Sequence, residues 1–487
     1  MNRWISRPLI LAQLDNLLPP PGGRGRAACV YGRRRAGKTT ALLQWAGASG
    51  RSLFYWVAGR GTPAQQRDSF AAALANAFPG LSAPRDAWNG LLLCLAAQAQ
   101  ARPVIAIFDE FSYAAEADSA LLPALRQSWE VLSDAGICLV LCGSHSHFFQ
   151  KLSIPGGPLG EILSSAVEVG PIAFNNLDEW LPGFSWAERT SLYAVSGGMP
   201  AYLTAYQENE SVGTNLQRLF THPESSCHSE PFILLDDLIQ REAGTYEAVL
   251  KAAAVSVKGT SQEISQKLGM SASYLSPYLK QLEALHMLVR QIPVTLPPDR
   301  RGTTKISRYR LADSFLHFYY RFISPNQALL ERRQPLALWG KISDGLRSFT
   351  GEAAFKPLCR HWLKTSALTG RLPFHCRQPE DFEVGMHWSA NSQADAVAIH
   401  WAEKLMLVAA CEWGIRATGP DMITGLPEKA RQICPGPDWI VKCACFAGAG
   451  FTPAAHRAAD SADVMLVDLE NIAQDLAFPG REDGPTG

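Results

Sequence analysis

The segment that most constrains the fold of this chain is a glycine-bounded run near its amino terminus. Residues 32–39 read Gly-Arg-Arg-Arg-Ala-Gly-Lys-Thr and fit the pattern G-x-x-x-x-G-K-[ST]. The apolar run 27–31 before it predicts a strand, and residues 40–46 after it predict a helix. Glycines at both ends let backbone N–H groups turn inward, and a helix N-terminus favours negative charge. This order of strand, loop and helix therefore predicts a phosphate-binding loop.

The side chains of this loop have separate roles in such a site. We expect Lys38 to reach the β- and γ-phosphates of a nucleotide and Thr39 to hold Mg²⁺. The other loop residues expected to contact the nucleotide are Gly32, Arg33, Arg34, Arg35, Ala36, Gly37 and Thr40. The predicted ligands are therefore a nucleoside triphosphate and a magnesium ion.

Two acidic residues end a second apolar run. Residues 103–108 predict a buried strand, which Asp109 and Glu110 follow. Carboxylates at the tip of a buried strand are costly unless they meet a cation or a ligand. We expect Asp109 to support the magnesium ion and Glu110 to act as general base on the attacking water, which favours hydrolysis. Ser144, after the predicted strand 137–142, is the candidate sensor of the γ-phosphate; a simple turn residue is the competing interpretation.

A set of stretches is more specific than any single motif: residues 31–39, 108–111, 141–144, 196–203 and 309–316. In sequence and spacing they resemble the archaeal-type P-loop ATPases, relatives of the AAA and STAND ATPases. The resemblance implies an α/β fold: a P-loop NTPase parallel sheet with a helical lid, a winged-helix domain and a C-terminal α/β restriction-endonuclease-like domain of the PD-(D/E)XK type. It also implies ATP as the nucleotide, with Gly198 and Pro200 near its base.

The expected division of the chain has four parts: a P-loop ATPase core over 1–170, a helical lid over 171–244, a winged helix over 245–323 and a nuclease-like domain over 324–487. The family usually carries an arginine pair before its fifth strand, where this chain has Pro-Gly-Gly-Pro-Leu-Gly-Glu at 155–161. An arginine there would stabilise charge on the transferring phosphoryl group. Its absence leaves the source of an arginine finger open and predicts slow turnover.

The expected winged helix is locally basic. Residues 245–312 predict three short helices and a hairpin, with a capping-box pattern at Thr260 and Glu263 and a helix end at Gly269. The predicted hairpin strands are 289–294 and 305–310. This segment holds ten Lys or Arg against four Asp or Glu, a net charge of +6 in a chain whose total is zero. Two roles are open for it: contact with DNA phosphates, or a structural or protein-docking role.

The C-terminal part carries an incomplete nuclease motif. The resemblance assigns Asp395 to the metal-binding aspartate of a strand over 394–399. The next predicted strand, 404–411, should end in an acid, a spacer and a lysine, but residues 410–412 are Ala-Cys-Glu. Because the acid–lysine partner is missing, we interpret the fold as retained and the nuclease chemistry as lost.

Bulk composition excludes several classes of partner. Forty-five basic and forty-five acidic residues cancel, so no global field favours nucleic acid or an anionic membrane. Residues 1–18 lack the pattern of a signal peptide, and no apolar run reaches bilayer length. Eleven cysteines without a C-x-x-C pair indicate reduced thiols rather than zinc ligands. We therefore expect a cytoplasmic protein without a membrane partner.

The favoured function is Mg²⁺-dependent ATP binding and hydrolysis, with Lys38, Glu110 and Ser144 in catalytic roles. Hydrolysis would drive conformational switching of the winged-helix and C-terminal domains, with DNA or a protein as partner. Two alternatives stay open. The first is a non-hydrolysing nucleotide-dependent switch that binds a protein partner, and the second is a DNA-processing nuclease.

Overall fold

The chain divides into two compact units. The structure, a computed structural model, describes residues 7–20, 22–238, 242–302, 304 and 306–477. The first unit comprises the described residues within Met1–Pro171 together with Met199–Ala201, and the second those within Ile172–Gly198 and Tyr202–Gly487. In the part of the chain that is described, no helix combines the length and the apolar character needed to cross a bilayer.

A parallel sheet forms the centre of the first unit. Its strands are β1 (Arg26–Tyr31), β2 (Ser52–Val57), β3 (Val104–Asp109), β4 (Cys138–Gly143) and β5 (Leu163–Glu168). They are ordered β2-β3-β4-β1-β5, and all neighbours are parallel. Every residue of β3 and β4 is buried, which is why these strands are continuous apolar runs rather than alternating ones. The predicted P-loop type of α/β sheet is confirmed.

Helices between the strands make the crossovers that parallel pairing requires. Up to residue 171 the structure describes α1 (Pro8–Asp15), α2 (Lys38–Ala48), α3 (Pro63–Ala77), α4 (Trp88–Ala101), α5 (Phe111–Ala117), α6 (Leu121–Asp134) and α7 (Ser146–Ser153). α2 begins directly after the glycine-bounded loop, and α5 begins directly after Glu110. The chain therefore turns from strand to helix at both predicted nucleotide-binding segments.

Aromatic side chains build the core beside β2 and β3. Trp56 of β2 and Phe108 of β3 are almost fully buried, as is Phe70 of α3. The ring centroids of Trp56 and Phe70 lie 5.0 Å apart, and those of Phe70 and Phe108 lie 5.2 Å apart, both edge to face. Such pairs add about 0.5–1.5 kcal/mol each beyond area burial. This packing holds β3 firmly, and β3 ends in Asp109.

The second unit contains a separate mixed sheet and a small antiparallel one. The small sheet pairs β6 (Leu288–Gln291) with β7 (Arg308–Leu311). The strands of the mixed sheet are β8 (Glu383–Trp388), β9 (Gln393–His400), β10 (Leu405–Glu412), β11 (Ile440–Ala447) and β12 (Val464–Asp468). Their order is β12-β11-β10-β9-β8; β10, β11 and β12 are parallel, whereas β9 is antiparallel to both its neighbours. The expected second α/β sheet is therefore present.

Many short helices complete the second unit. In chain order the described α-helices are α8 (Leu177–Trp180), α9 (Trp186–Ser196), α10 (Pro200–Leu203), α11 (Val212–Phe220), α12 (Glu230–Leu238), α13 (Ala243–Ala254), α14 (Ser261–Leu268), α15 (Ala272–Ala284), α16 (Ser314–Phe318), α17 (Gln327–Glu331), α18 (Pro335–Thr350), α19 (Lys356–Leu368), α20 (Asp421–Thr424), α21 (Leu426–Ile433), α22 (Pro453–Ala462) and α23 (Leu469–Ala477). The first two residues of α10 group with the first unit. α16 continues into a π-helical turn over Tyr319–Ile323, and another such turn, Gly351–Phe355, joins α18 to α19.

The bounds predicted for the hairpin were wrong. α13, α14 and α15 do precede β6 and β7, but each paired strand has only four residues. Val294, predicted to lie in the hairpin, instead donates its N–H to the carbonyl of Met386 in β8, at 2.9 Å. Prolines at 293, 297 and 298 have no N–H to give to a ladder. The connection between β6 and β7 therefore lies along the edge of the mixed sheet.

The capping-box prediction at α14 was half right. Thr260 accepts the N–H of Glu263, as an N-cap residue does. The Glu263 carboxylate does not return to the Thr260 N–H; it accepts the N–H groups of Val257, Lys258 and Gly259 instead, at 2.8–3.1 Å. The Glu263 side chain thus stabilises the turn at residues 257–259, before the helix, and does not bond to the N-cap residue Thr260.

Candidate nucleotide-binding site

Glycines shape the loop between β1 and α2. Gly32 has φ +149°, and a Cβ there would lie 2.2 Å from the carbonyl oxygen of Val169, well inside contact distance. Gly37 is left-handed, with φ +83°, and a Cβ there would lie 3.6 Å from the ring of Pro200. Because an L side chain at Gly32 would meet backbone, the loop cannot keep this path without glycine. The backbone conformation of the loop thus requires the first glycine of the G-x-x-x-x-G-K-[ST] pattern.

Lys38 lies at the centre of the loop. Its Nζ donates to the carbonyls of Gly32 at 2.8 Å and Arg33 at 3.0 Å, and to Ser144 Oγ at 3.2 Å. Only 6% of the residue is exposed, and burial lowers the pKa of its ammonium group. The strands β1 and β4 are neighbours in the sheet, so their carboxyl ends bring Lys38 and Ser144 together.

Thr39 and Asp109 offer two oxygens to a cation. Thr39 Oγ1 donates to Asp109 Oδ2 at 2.7 Å, and Tyr55 Oη donates to the same oxygen at 3.0 Å. Asp109 is 3% exposed, so its charge has little water to stabilise it. A hydroxyl beside a buried carboxylate is the hard oxygen donor set that Mg²⁺ takes in nucleotide sites. The residues present therefore fit a magnesium ion.

Glu110 is held in a strained backbone conformation. It has φ +49° and ψ +36°, in the left-handed region that non-glycine residues seldom adopt, and it caps α5. Its N–H donates to Asp109 Oδ1 at 2.9 Å, and its Oε1 accepts from Ser144 Oγ at 3.3 Å. Ser144 thus accepts from Lys38 and donates to Glu110, so one hydroxyl joins the predicted phosphate-binding lysine to the predicted base.

The predicted site residues of the first unit therefore converge at the carboxyl ends of β1, β3 and β4. Within the loop, Ala36 is buried, Arg33 and Arg34 are half-buried, and Arg35 and Thr40 are exposed. Gly198 belongs to the second unit, where its carbonyl accepts the N–H of Ile172 at 2.7 Å. The contact of Gly198 and Pro200 with a nucleotide base stays a prediction.

Sequence reasoning missed two residues that support the loop. Arg7 donates to the carbonyls of Ala36 and Gly170, both at 2.8 Å, and so ties the loop to the chain after β5. Tyr55 supports Asp109 from β2, a strand that runs beside β3. Neither residue belongs to a local motif. The one signal in the sequence is that Tyr55 lies two residues before the end of an apolar strand, which places it near the edge of the sheet where the site forms.

Asp395, the remnant of the expected nuclease motif, is engaged in an ion pair. Its Oδ1 lies 2.9 Å from Lys356 Nζ, and Lys356 also bonds to Glu352. A lysine thus reaches Asp395 from α19, not from the next strand. In the described residues, no group of three closely spaced His, Cys, Asp or Glu ligand atoms includes Asp395. The loss of nuclease chemistry therefore stays a prediction.

The sheet order and the loop geometry together define a P-loop nucleotide-binding fold. β1 lies between β4 and β5, and ligands of parallel α/β sheets bind at such a switch point, at the carboxyl ends of the strands. Residues 319–418 match the DUF234 family, described as archaea bacterial proteins of unknown function. The chain is 25% identical over 386 residues to the uncharacterized protein MJECL04 of Methanocaldococcus jannaschii, a match that covers 79% of this chain and 82% of that protein.

Solved structures give distant likenesses. The Walker-type ATPase PABY2304 of Pyrococcus abyssi has 17% identity and a TM-score of 0.47, over 65% of this chain and 96% of that one. The ORC2 protein of Aeropyrum pernix, solved as ADPNP–ADP complexes, has 12% identity and a TM-score of 0.45, over 70% of this chain and 96% of that one. Because both scores lie below 0.5, the assignment of function rests on the geometry of the loop in this chain.

Proposed function

We propose that the first unit binds ATP with Mg²⁺ and hydrolyses it to ADP and phosphate. The observation that carries this proposal is the chain of contacts from Lys38 through Ser144 to Glu110. A lysine for the phosphates and a carboxylate for the water are the two groups that hydrolysis needs, and one hydroxyl joins them. The strain at Glu110 supports a role for this residue in the reaction, since strained backbone clusters at active sites.

Each residue of the site has a stated task. The backbone N–H groups of the loop and Lys38 bind the β- and γ-phosphates. Thr39 and Asp109 would hold the magnesium ion, which neutralises charge on the phosphates when bound. Glu110 orients the water and accepts its proton, and Ser144 senses whether the γ-phosphate is attached.

The test of the base is Glu110→Gln, which keeps the shape of the side chain and removes its charge. We expect ATP affinity to stay within about twofold and steady-state phosphate release to fall at least about a hundredfold, the usual contribution of a general base. ATP binding is measured by equilibrium dialysis and turnover by phosphate release with Mg²⁺. The matched control is Glu130→Gln, at an exposed position of α6. Equal turnover in the Glu110 and Glu130 variants would remove Glu110 from the base role.

A second candidate function is a nucleotide-dependent switch without hydrolysis. The observation in its favour is the absence of arginine from residues 155–161, before β5. ATP binding that is lost in Lys38→Ala, together with phosphate release at background with and without DNA, would favour the switch over the ATPase.

We also propose that the second unit comprises the helical lid, the winged helix and an inactive nuclease-like domain, and that it responds to the nucleotide. Pro200 faces Gly37 in the first unit, and the chain continues from Ala201 directly into the rest of α10. A movement of the loop could therefore be passed to the lid helices through the continuous backbone of α10. DNA and a protein are the proposed partners, and ATP turnover measured with and without DNA tests the first of them.

A further inference from the structure

A cavity of about 410 Å³ lies within the second unit, and none of its lining residues has a role in the proposed ATPase reaction. Three elements form its walls: the end of β6 with the residue after it, the edge strand β8, and α19. Its lining residues are Arg290, Gln291, Ile292, Arg360, His361, Lys364, Val384, Gly385, Met386 and Trp388. The cavity is large enough for a group the size of a nucleotide.

The lining is cationic and contains no acidic side chain. Arg290 donates to the carbonyl of Thr304 at 3.0 Å, and Arg360 donates to the carbonyl of Asp395 at 2.8 Å. Among the described residues, neither these arginines nor the exposed Lys364 forms an ion pair. Each guanidinium has five N–H donors, and its bond to a carbonyl leaves other donors for a ligand.

More positive charge lies behind the walls. The Nε atoms of Arg308 and Arg310 are buried, and no hydrogen-bond partner for them is found in the described part of the chain. Burial, and then the charge of Arg360, lower the pKa of Arg310 to about 10. Glu352 and Asp395 offset part of this charge, but both carboxylates are also bonded to Lys356. The cations around the cavity thus outnumber the carboxylates, which favours a bound anion.

The walls are fixed relative to one another before any ligand arrives. Thr295 Oγ1 and His387 Nδ1 are hydrogen-bonded at 2.6 Å, and Arg301 is paired with Glu383 of β8. The guanidinium of Arg308 lies over the ring of Trp388, 4.5 Å from its centroid. The connection between β6 and β7 is therefore attached to β8, and these contacts limit the movement of two walls of the cavity before a ligand binds.

We propose that this cavity binds a phosphate group of a nucleotide or of a polynucleotide chain. Arginine forks match phosphate oxygens in a bidentate manner, and Arg290 and Arg360 provide two of them inside, with Lys364 at the mouth. The exposure of His361 and Lys364 leaves room for a chain to continue outward. This proposal rests on the proposed function only in its choice of nucleic acid as the partner. It does not depend on ATP hydrolysis.

The test measures binding of a fluorescein-labelled twelve-nucleotide thymidine oligomer to the full chain by anisotropy, in the Lys38→Ala background and without ATP. We expect Lys364→Glu to weaken binding about tenfold and to flatten the salt dependence, since each lost phosphate contact on a single strand lowers the slope by about 0.7. The matched control is Lys341→Glu at an exposed position of α18, which makes the same charge change outside the cavity. Because this assay contains no ATP, its result does not depend on hydrolysis. Failure of the ATPase proposal would therefore leave oligomer binding unchanged, whereas failure of the cavity proposal would appear in this assay alone.

Competition identifies the source of the phosphate. If AMP displaces the oligomer and binds as tightly as the oligomer does, and if Lys364→Glu abolishes this displacement, the cavity binds a single nucleotide. If the oligomer binds tightly and AMP does not displace it, the cavity binds a polynucleotide. Both results support the phosphate site. Equal affinities of the Lys364 and Lys341 variants, or equal competition by polyglutamate, would overturn it.

Discussion

At the scale of single residues, the site depends on a few side chains whose positions leave little freedom. Asp109 Oδ2 accepts from both Thr39 and Tyr55, and Asp109 Oδ1 accepts from the N–H of Glu110. A carboxylate held on both oxygens cannot rotate away from the place where a metal ion would bind. Tyr55 is therefore a positioning residue: it acts on the cation only through Asp109.

The tyrosine can be tested on its own. Burial, and then the charge of Asp109, raise the pKa of Tyr55, so the phenol stays protonated and donates at neutral pH. Tyr55→Phe removes the donor and keeps the ring. We expect the Mg²⁺ concentration for half-maximal turnover to rise roughly tenfold, as is usual when a partner of a metal ligand is lost. The measurement is phosphate release in a magnesium titration.

A matched control for the tyrosine is Tyr246→Phe, on α13 of the second unit. It should leave the magnesium titration unchanged. An unchanged titration in Tyr55→Phe as well would show that the hydrogen bond to Asp109 does not orient that carboxylate. A fall in maximal turnover without any shift in the magnesium requirement would point to general disruption instead.

At the scale of secondary-structure elements, short polar contacts decide where helices start. Glu263 accepts three successive N–H groups before α14, which leaves those donors satisfied in a turn of non-repetitive backbone. The turn is held further because Tyr309 of β7 donates its N–H to the carbonyl of Gly259 at 2.7 Å. The Glu263 carboxylate and this backbone bond together hold the turn before α14 against β7.

This arrangement predicts a pH dependence. Burial opposes ionisation of Glu263, but the three N–H bonds outweigh it and lower its pKa below the ordinary value of 4.5. A lowered folded-state pKa stabilises the fold above pH 4.5, and this stabilisation is lost as the pH falls through the lower folded-state value. Glu263→Gln should therefore reduce amide protection in residues 257–259 at pH 7, and its difference from the native chain should shrink as the pH falls through the lowered folded-state pKa. Hydrogen exchange with mass spectrometry measures both.

The control for this element is Glu283→Gln, at an exposed position of α15. It should leave the protection of residues 257–259 unchanged across this pH range. A loss of protection in Glu263→Gln that does not diminish at any pH down to acid unfolding would contradict the charge-based explanation, because it would not follow the ionisation of the carboxylate.

At the scale of the whole molecule, each unit has its own hydrophobic core. Phe54, Trp56 and Phe108 belong to the core of the first unit, whereas Val397, Met406 and Cys445 belong to a core of the second. Separate cores around separate sheets are the physical basis of separate folding units. A ligand that binds one unit should therefore stabilise that unit first.

Calorimetry can test this independence. We expect two unfolding transitions, and we expect a non-hydrolysable ATP analogue with Mg²⁺ to raise only the one that belongs to the first unit. At an analogue concentration of one hundred times Kd, the free energy of unfolding of the first unit should rise by about 2.7 kcal/mol. This corresponds to a rise in its Tm of roughly 5–10 °C for a unit of this size. Lys38→Ala should abolish the shift. A single transition that moves as a whole with the ligand would show that the two units unfold cooperatively.

The local parts of the fold could be predicted from the sequence because they are encoded by neighbouring residues. Gly32 and Gly37 are needed for the backbone path of one loop, and Asp109 and Glu110 directly follow a buried strand. Ser144 follows another. Since parallel strands end at the same edge of a sheet, these motifs were expected to meet, and they do.

The sequence alone thus determined the loop, its strands and the residue types at their ends, because each depends on backbone conformation or on burial of a continuous run. Only the tertiary structure decided which distant residues join them. Arg7 and Tyr55 reach the site across the sheet, and Lys356 reaches Asp395 from a helix. The cationic cavity also exists only because the connection after β6 lies along the edge of β8. Contacts between residues far apart in the chain leave no local pattern, since any of many side chains could make them.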